Sequence, residues 1–335
     1  MPGASPVSVA PTLSIIVPTY RGGSRIYANL LELDRALSLI GETYEIIVVS
    51  DGNADNTHDE ARRLDEPHVR VFHYARNMGK GFALRYGIVR SRGDIITFID
   101  GDGDIDPAQI AAYLHAMRES GADVVVGSKR HRDSQVIYPP LRRLYSAAYQ
   151  ALLQMLFHLN VRDTQVGLKL FRREVLTAVL PRIVVKRYAF DLELLVVAHY
   201  LGFTHVVEAP VRIGHRFTST INRRAIMSIL WETAAIFYRK NVLHYYDYSH
   251  VPAPLDALTA STEAELAAVV SEEETYIMRN VALWVLRGSA RMLRTCYARV
   301  CELLLPPRQT RPREVIESRS DQGGESKEDR WRASM

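Results

Sequence analysis

Asp100-Gly101-Asp102-Gly103-Asp104 sets carboxylates at alternate positions with glycines between them. Acids this close repel one another unless a cation lies among them. Hard oxygen ligands with small spacers suit Mg²⁺ or Mn²⁺, ions that keep several waters and share phosphate oxygens. A calcium EF-hand loop alternates acids in the same way, but it requires Gly at its sixth position and Glu at its twelfth. Ile105 and Ala111 stand there instead. The preceding run, Ile95-Ile96-Thr97-Phe98-Ile99, has the composition of a strand buried on both faces of a parallel sheet. Ligands of open α/β sheets gather at the carboxyl ends of such strands. The turn is therefore a candidate metal site.

Three further strand exits share that sheet edge. The first ends Val17-Pro18-Thr19-Tyr20, where Tyr20 offers a ring for a base to stack on. The second ends Ser50-Asp51-Gly52, and Asp51 can accept from a base N–H or a ribose hydroxyl, although Asp-Gly alone is an ordinary turn. The third leads into Arg76-Asn77-Met78-Gly79-Lys80-Gly81-Phe82-Ala83. Glycines permit close backbone approach, a helix N-terminus follows, and Lys80 adds charge, which together suit an anion. A Walker A loop is excluded, because the earlier glycine and the Ser/Thr after the lysine are both missing.

The elements that hold these exits alternate strand and helix. Strands are expected at Leu13–Pro18, Tyr44–Ser50, Val69–Tyr74, Asp94–Ile99 and Ala122–Gly127. Helices are expected at Ser24–Leu39, Asp55–Leu64, Gly79–Val89 and Pro107–Ser120, the last capped by Asp106. That alternation predicts an α/β fold, a mostly parallel sheet flanked by helices. A basic loop at 128–140 follows, then a helix, a strand-like Thr164–Phe171, a helix carrying Asp191 and Glu193, a strand through Phe203–Val207, and an amphipathic helix at Asn222–His244. The expected layout is a tail at 1–12, a catalytic domain at 13–220, a juxtamembrane amphipathic helix at 221–248, a linker with C-terminal amphipathic helices at 249–305, and a disordered tail at 306–335.

With 335 residues and 47% apolar content the chain can bury a sizeable core. Its formal charge of +4 is too small to argue for nucleic acid. Cys296 and Cys301 make neither a metal pattern nor a disulfide framework, which points to a reducing compartment. Met1 to Pro11 lacks the features of a signal peptide. Leu144–Val161 is free of Lys, Arg, Asp and Glu, yet its Gln, His and Asn residues suit a helix lying in an interface, or a core helix, better than a spanning one.

The strand exits, in this order and at this spacing, resemble the family 2 glycosyltransferases. A narrower similarity, to enzymes that glycosylate polyprenyl or dolichyl phosphate, rests on Gly127-Ser128-Lys129, Leu141-Arg142-Arg143-Leu144-Tyr145-Ser146, Asp163-Thr164-Gln165-Val166-Gly167-Leu168-Lys169-Leu170-Phe171 and Phe190-Asp191-Leu192-Glu193. The resemblance covers the chain to roughly residue 240. It implies a GT-A fold and a nucleotide-sugar donor, UDP-glucose or GDP-mannose, bound through Mg²⁺ or Mn²⁺. Pro18, Tyr20, Asp51 and Lys80 would line the donor site. Asp51 would meet the base, Asp100 the ribose or diphosphate, Asp102 the metal with Asp104 near it, and Arg216 the diphosphate. Lys129, Arg142 and Ser146 would hold the acceptor phosphate. Lys129 replaces the usual arginine and so keeps the charge without the bidentate grip. The chain departs from the family pattern at Arg21-Gly22, where Asn-Glu is usual, at Ser50, which replaces an aspartate, and at Thr220, where lysine is common.

The resemblance also implies an inverting displacement. A phosphate monoester is already an anion near neutral pH, so it needs placement behind the anomeric carbon rather than deprotonation. Asp191 would then position rather than act as a base, and a helix cap or a partner for Arg187 is the plainer role. A lipid acceptor requires a membrane surface. Leu144–Val161, beside Arg142 and Arg143, would lie in it, giving peripheral attachment to the cytoplasmic leaflet. The C-terminal helices would add to that attachment or mediate homo-oligomer formation. Two alternatives stand beside this reading: a glycosyltransferase for a soluble or polysaccharide acceptor with Asp191 as base, and a catalytically degenerate membrane-associated binding subunit.

Overall fold

The computed structural model describes residues 10–52, 55–136, 140–185, 189–214 and 223–247, and the side chains of 140–142 and 223–225 fall outside that description. Arg216, Thr220, Arg187, the linker and helices expected at 249–305 and the tail at 306–335 therefore lie outside the described residues, as does the Arg142 side chain.

Seven strands form one sheet in the order β3-β2-β1-β4-β6-β5-β7. They are β1 (Leu13–Thr19), β2 (Tyr44–Asp51), β3 (Val69–Tyr74), β4 (Ile95–Phe98), β5 (Val124–Ser128), β6 (Lys169–Arg172) and β7 (Val206–Pro210). The helices are α1 (Arg25–Ser38), α2 (Thr57–Arg62), α3 (Lys80–Val89), α4 (Gln109–Ser120), α5 (Pro140–Phe157), α6 (Arg173–Val179), α7 (Phe190–Tyr200) and α8 (Arg223–Asn241). β1 pairs in parallel with β2 and β4, and β2 with β3. Their carboxyl ends therefore open on one edge, where Thr19 stands level with Ser50.

β1 is buried along its whole length because both faces of the sheet are covered. Leu13, Ile15 and Val17 pack with α1 and α4 on one face, while Ile16 packs with α3, α6 and α7 on the other. This is the two-residue period of a strand read from its side chains.

The far half of the sheet departs from the sequence expectation. The strand-like Thr164–Phe171 is a strand only over Lys169–Arg172, and it runs antiparallel to both β4 and β5. Residues 163–168 form a loop across the sheet edge, and the final strand begins at Val206 rather than Phe203. α4 starts at Gln109, two residues after Pro107, with Asp106 accepting from the Ala108 amide at 2.9 Å.

In α8, within the helix expected at Asn222–His244, one basic residue is turned inward. Arg239 is buried, donating at 2.7 Å to Glu193, which is also buried. Glu193 further accepts from the Val184 and Val185 amides and from Tyr246 Oη. Burial alone would loosen the Arg239 proton, and the carboxylate of Glu193 more than reverses that. α8 is thereby fastened into the body. Among the described residues no helix is long and apolar enough to cross a membrane.

Candidate active site

A cavity of about 700 Å³ opens over the carboxyl ends of β1, β2 and β4. Pro18, Tyr20, Asp51, Lys80, Asp100, Asp102 and Asp191, all anticipated from the sequence, line it. Tyr20 is half-exposed, and its ring lies 5.1 Å from the Arg21 guanidinium, so a flat face stands at the rim.

The Asp51 carboxylate is used up by the protein. One oxygen accepts from Tyr74 Oη at 2.9 Å and the Met78 amide at 2.7 Å; the other accepts from Asn77 Nδ2 at 3.0 Å and the Gly79 amide at 2.9 Å. A carboxylate offers roughly four acceptor sites, so these donors fill it. Gly79 turns the chain into α3 with φ of 97°, a conformation open to glycine at no steric cost. The anion-binding look of 76–83 is thus partly an internal matter: the carboxylate that the loop amides bind is Asp51. The contact expected between Asp51 and a base therefore finds no vacant carboxylate.

At the other wall, Lys80 Nζ lies 2.5 Å from Asp100. Burial disfavours the Lys80 charge, but the carboxylates of Asp100, Asp191 and Asp102 outweigh it, so the ammonium holds its proton more tightly than an ordinary lysine. Gly167 packs directly against Asp100, leaving no room for a β-carbon.

The acidic turn fits a divalent cation. Burial pushes the Asp102 carboxyl above its usual range; the Asp104 amide, donating at 3.1 Å, works against this, and the carboxylates of Asp100 and Asp104 add to it. Lys80 answers Asp100, and no ion pair among the described residues answers Asp102 or Asp104. No cluster of three or more His, Cys, Asp or Glu side chains has a metal-holding arrangement among the described residues. One or two carboxylates completed by substrate oxygens is how Mg²⁺ is commonly held. Asp102 faces the cavity, whereas Asp104 does not line it and supports Asp102 through its amide.

Asp191 lies in the first turn of α7 and is not its cap, since Ala189 takes that position. Its partner is Lys169, whose ammonium donates to one carboxylate oxygen at 2.9 Å. Lys169 and Gln165 were not singled out from the sequence. A lone lysine in the apolar run Leu168-Lys169-Leu170-Phe171 was the signal for the first. Arg21 and Arg25 also line the cavity, and the departure from Asn-Glu supplies the first of these cationic side chains.

A second cavity, of about 350 Å³, is lined by Lys129, Arg130, Arg143, Ser146 and Asp163. Lys129 and Ser146 thus come together as expected, with Arg143 beside them. Asp163 is the unexpected member: it accepts from the Lys129 and Gln165 amides, and its carboxylate lies 3.8 Å from Lys129 Nζ. The loop at 163–167 therefore borders both cavities, through Asp163 on one and Gln165 on the other.

A sheet of this topology, with carboxylates and a lysine where its parallel strands end, is a GT-A-like arrangement. Residues 14–180 match the model for glycosyl transferase family 2. The chain is 32% identical over 254 residues to a dolichyl-phosphate beta-glucosyltransferase of Trichomonas vaginalis, covering 71% of this chain and 75% of that protein. It is 33% identical over 207 residues to the dolichyl-phosphate beta-glucosyltransferase of Homo sapiens, covering 56% of this chain and 63% of that one. The protein belongs to glycosyltransferase family 2, in the branch of the polyprenyl-phosphate hexosyltransferases. The fold is shared with glucosyl-3-phosphoglycerate synthase from Mycobacterium tuberculosis, solved with Mn²⁺, uridine diphosphate and phosphoglyceric acid, at a TM-score of 0.52 and 19% identity, over 69% of this chain and 78% of that one.

Proposed function

We propose that the protein transfers glucose from UDP-glucose to dolichyl phosphate or a related polyprenyl phosphate, with inversion at the anomeric carbon. The observation that carries this is the Lys80–Asp100 pair beside Asp102 in the larger cavity. In a chain similar to dolichyl-phosphate glucosyltransferases, that pair sits where a departing diphosphate needs charge. Glucose is preferred over mannose because the relatives named above are glucosyltransferases.

Asp102, with Asp100 near it, would hold a divalent ion, whose chemistry there is charge stabilisation of the diphosphate leaving group. Lys80 supplies a protein-borne charge to the same end. Tyr20 takes the base against its ring. Lys129, Arg143 and Ser146, with Arg142 on the same helix, receive the acceptor phosphate, whose oxygen attacks the anomeric carbon as the bond to the diphosphate breaks. The nucleophile arrives ionised, so the site needs no general base. Mn²⁺ bound by a protein of the same fold supports the metal assignment.

α5 supports a surface role. Leu144, Tyr145 and Met155 are exposed on it, next to Arg143. A bilayer surface takes such apolar residues while the arginine meets headgroups. We place the protein on the cytoplasmic leaflet.

The test is incubation of the purified chain with Mn²⁺, dolichyl phosphate in detergent and either UDP-[¹⁴C]glucose or GDP-[¹⁴C]mannose. Label from UDP-glucose alone should enter a chloroform-soluble, acid-labile product. Mannose transfer, or glucose transfer only to a soluble acceptor, overturns the reading.

A further inference from the structure

Lys169 is fully buried in the middle of the sheet, on the strand between β4 and β5. A buried ammonium costs several kcal/mol unless it is paired, and an apolar side chain of similar volume often serves stability as well or better. A lysine at this position therefore draws attention to the other end of its ion pair. The ammonium donates to Asp191 Oδ1 at 2.9 Å and to the Val166 carbonyl at 2.5 Å. Its own carbonyl accepts from Thr97 Oγ1 at 2.9 Å, which fixes the backbone from β4.

These contacts join three pieces of the larger cavity's wall. Val166 belongs to the loop whose Gln165 lines the cavity and whose Gly167 packs on Asp100. Asp191 stands on α7 and also lines the cavity, with its side chain 14% exposed. Lys169 approaches Asp191 from the protein side and takes one oxygen, and among the described residues no donor is bound to the other.

We propose that Lys169 is a positioning residue for the transfer. It fixes the Asp191 carboxylate so that Oδ2 accepts a hydroxyl of the donor's hexose ring, which orients the anomeric carbon toward the acceptor. The proposal rests on the nucleotide-sugar reading above. It deepens that reading by assigning Asp191 to sugar placement rather than proton removal.

The test is a double-mutant cycle on the full chain with Lys169→Met, Asp191→Asn and the double variant. Turnover is followed with UDP-glucose, and UDP affinity is followed separately by calorimetry. Each single change should lower kcat by about 10²-fold, the cost of misplacing a reacting centre, with UDP affinity unchanged. The double variant should fall no further than the worse single one, because both changes remove one arrangement. Losses that multiply to about 10⁴-fold, or an unchanged kcat in K169M, overturn the proposal. So does a parallel loss of UDP affinity, the mark of a merely structural role. If K169M does not fold, K169M/D191N leaves no buried charge alone and carries the test: a kcat equal to that of D191N supports the proposal, and a further fall overturns it. If the wild-type chain glucosylates no lipid, the reading of the acceptor fails by itself. The cycle is then followed as UDP release from UDP-glucose without acceptor, with the same criteria.

Discussion

The two cavities are built on opposite plans. Around the larger one, three of the four lining carboxylates are already answered inside the protein, Asp51 by four donors, Asp100 by Lys80 and Asp191 by Lys169, which leaves Asp102. Around the smaller one, Arg143 and Ser146 sit on an outward-facing helix, and the closest ion pair, Lys129 with Asp163, is long at 3.8 Å. A preorganised site orients a reacting centre without rearrangement at the moment of reaction. A looser cationic site suits a phosphate presented from a lipid, where the approach varies and the charge matters more than one fixed geometry. On the function proposed above, the difference teaches that the chain has paired its charges in advance where the bond to the sugar would break.

The hardest blow to this contrast is Arg239→Met. It leaves Glu193 buried beside the segment leading to Asp191, and it should cost about 3–5 kcal/mol in urea unfolding. A cost under 1 kcal/mol would show that α8 is not fastened as described. Next, Asp102→Asn should lower the transfer rate by ~10²–10³ while leaving the unfolding midpoint unchanged. An equal loss of stability would mean that Asp102 belongs to the framework instead. Arg143→Ala should raise the KM for lipid phosphate severalfold, on the order of 1 kcal/mol in binding, and leave the KM for UDP-glucose alone. If both rise together, the cavities are not separate in function.

The smallest effect sharpens the view that surface charge adds little. Arg118 donates to Glu42 at 2.6 Å and, by that hydrogen bond foremost, holds the Glu42 carboxyl below its usual range. A lowered folded pKa contributes stability that is present above the unfolded value and lost as pH falls through the folded one. Glu42→Gln should therefore change stability by at most ~0.5 kcal/mol at neutral pH and by less as acid is added below about pH 4.

The sheet's first half was legible because its signals are local. Ile15–Val17 and Ile46–Val49 are apolar runs that lead into polar turns, and parallel order follows from the helices between them. Asp100, Asp102 and Lys80 were legible for the same reason, since each stands at a strand exit. The antiparallel run of Lys169–Arg172 was not, because its orientation depends on a loop crossing the sheet edge, and four residues carry no direction. Asp51 was placed in the right wall, but its donors come from residues 74–79, more than twenty positions away. Likewise, Arg239 reads as a surface residue until Glu193, 46 positions earlier, is brought beneath it. Long-range pairing of charge is what a periodicity cannot carry.

The fastening of α8 also bears on how the chain comes into being. Among the described residues every strand is complete by Pro210, yet Glu193 gains its guanidinium and phenol partners from Arg239 and Tyr246. A nascent polypeptide stalled at residue 220 would own all seven described strands, yet Glu193 would have the Val184 and Val185 amides on one oxygen and no described donor on the other. Only a chain that runs past Tyr246 gives Glu193 all four of the partners described for it.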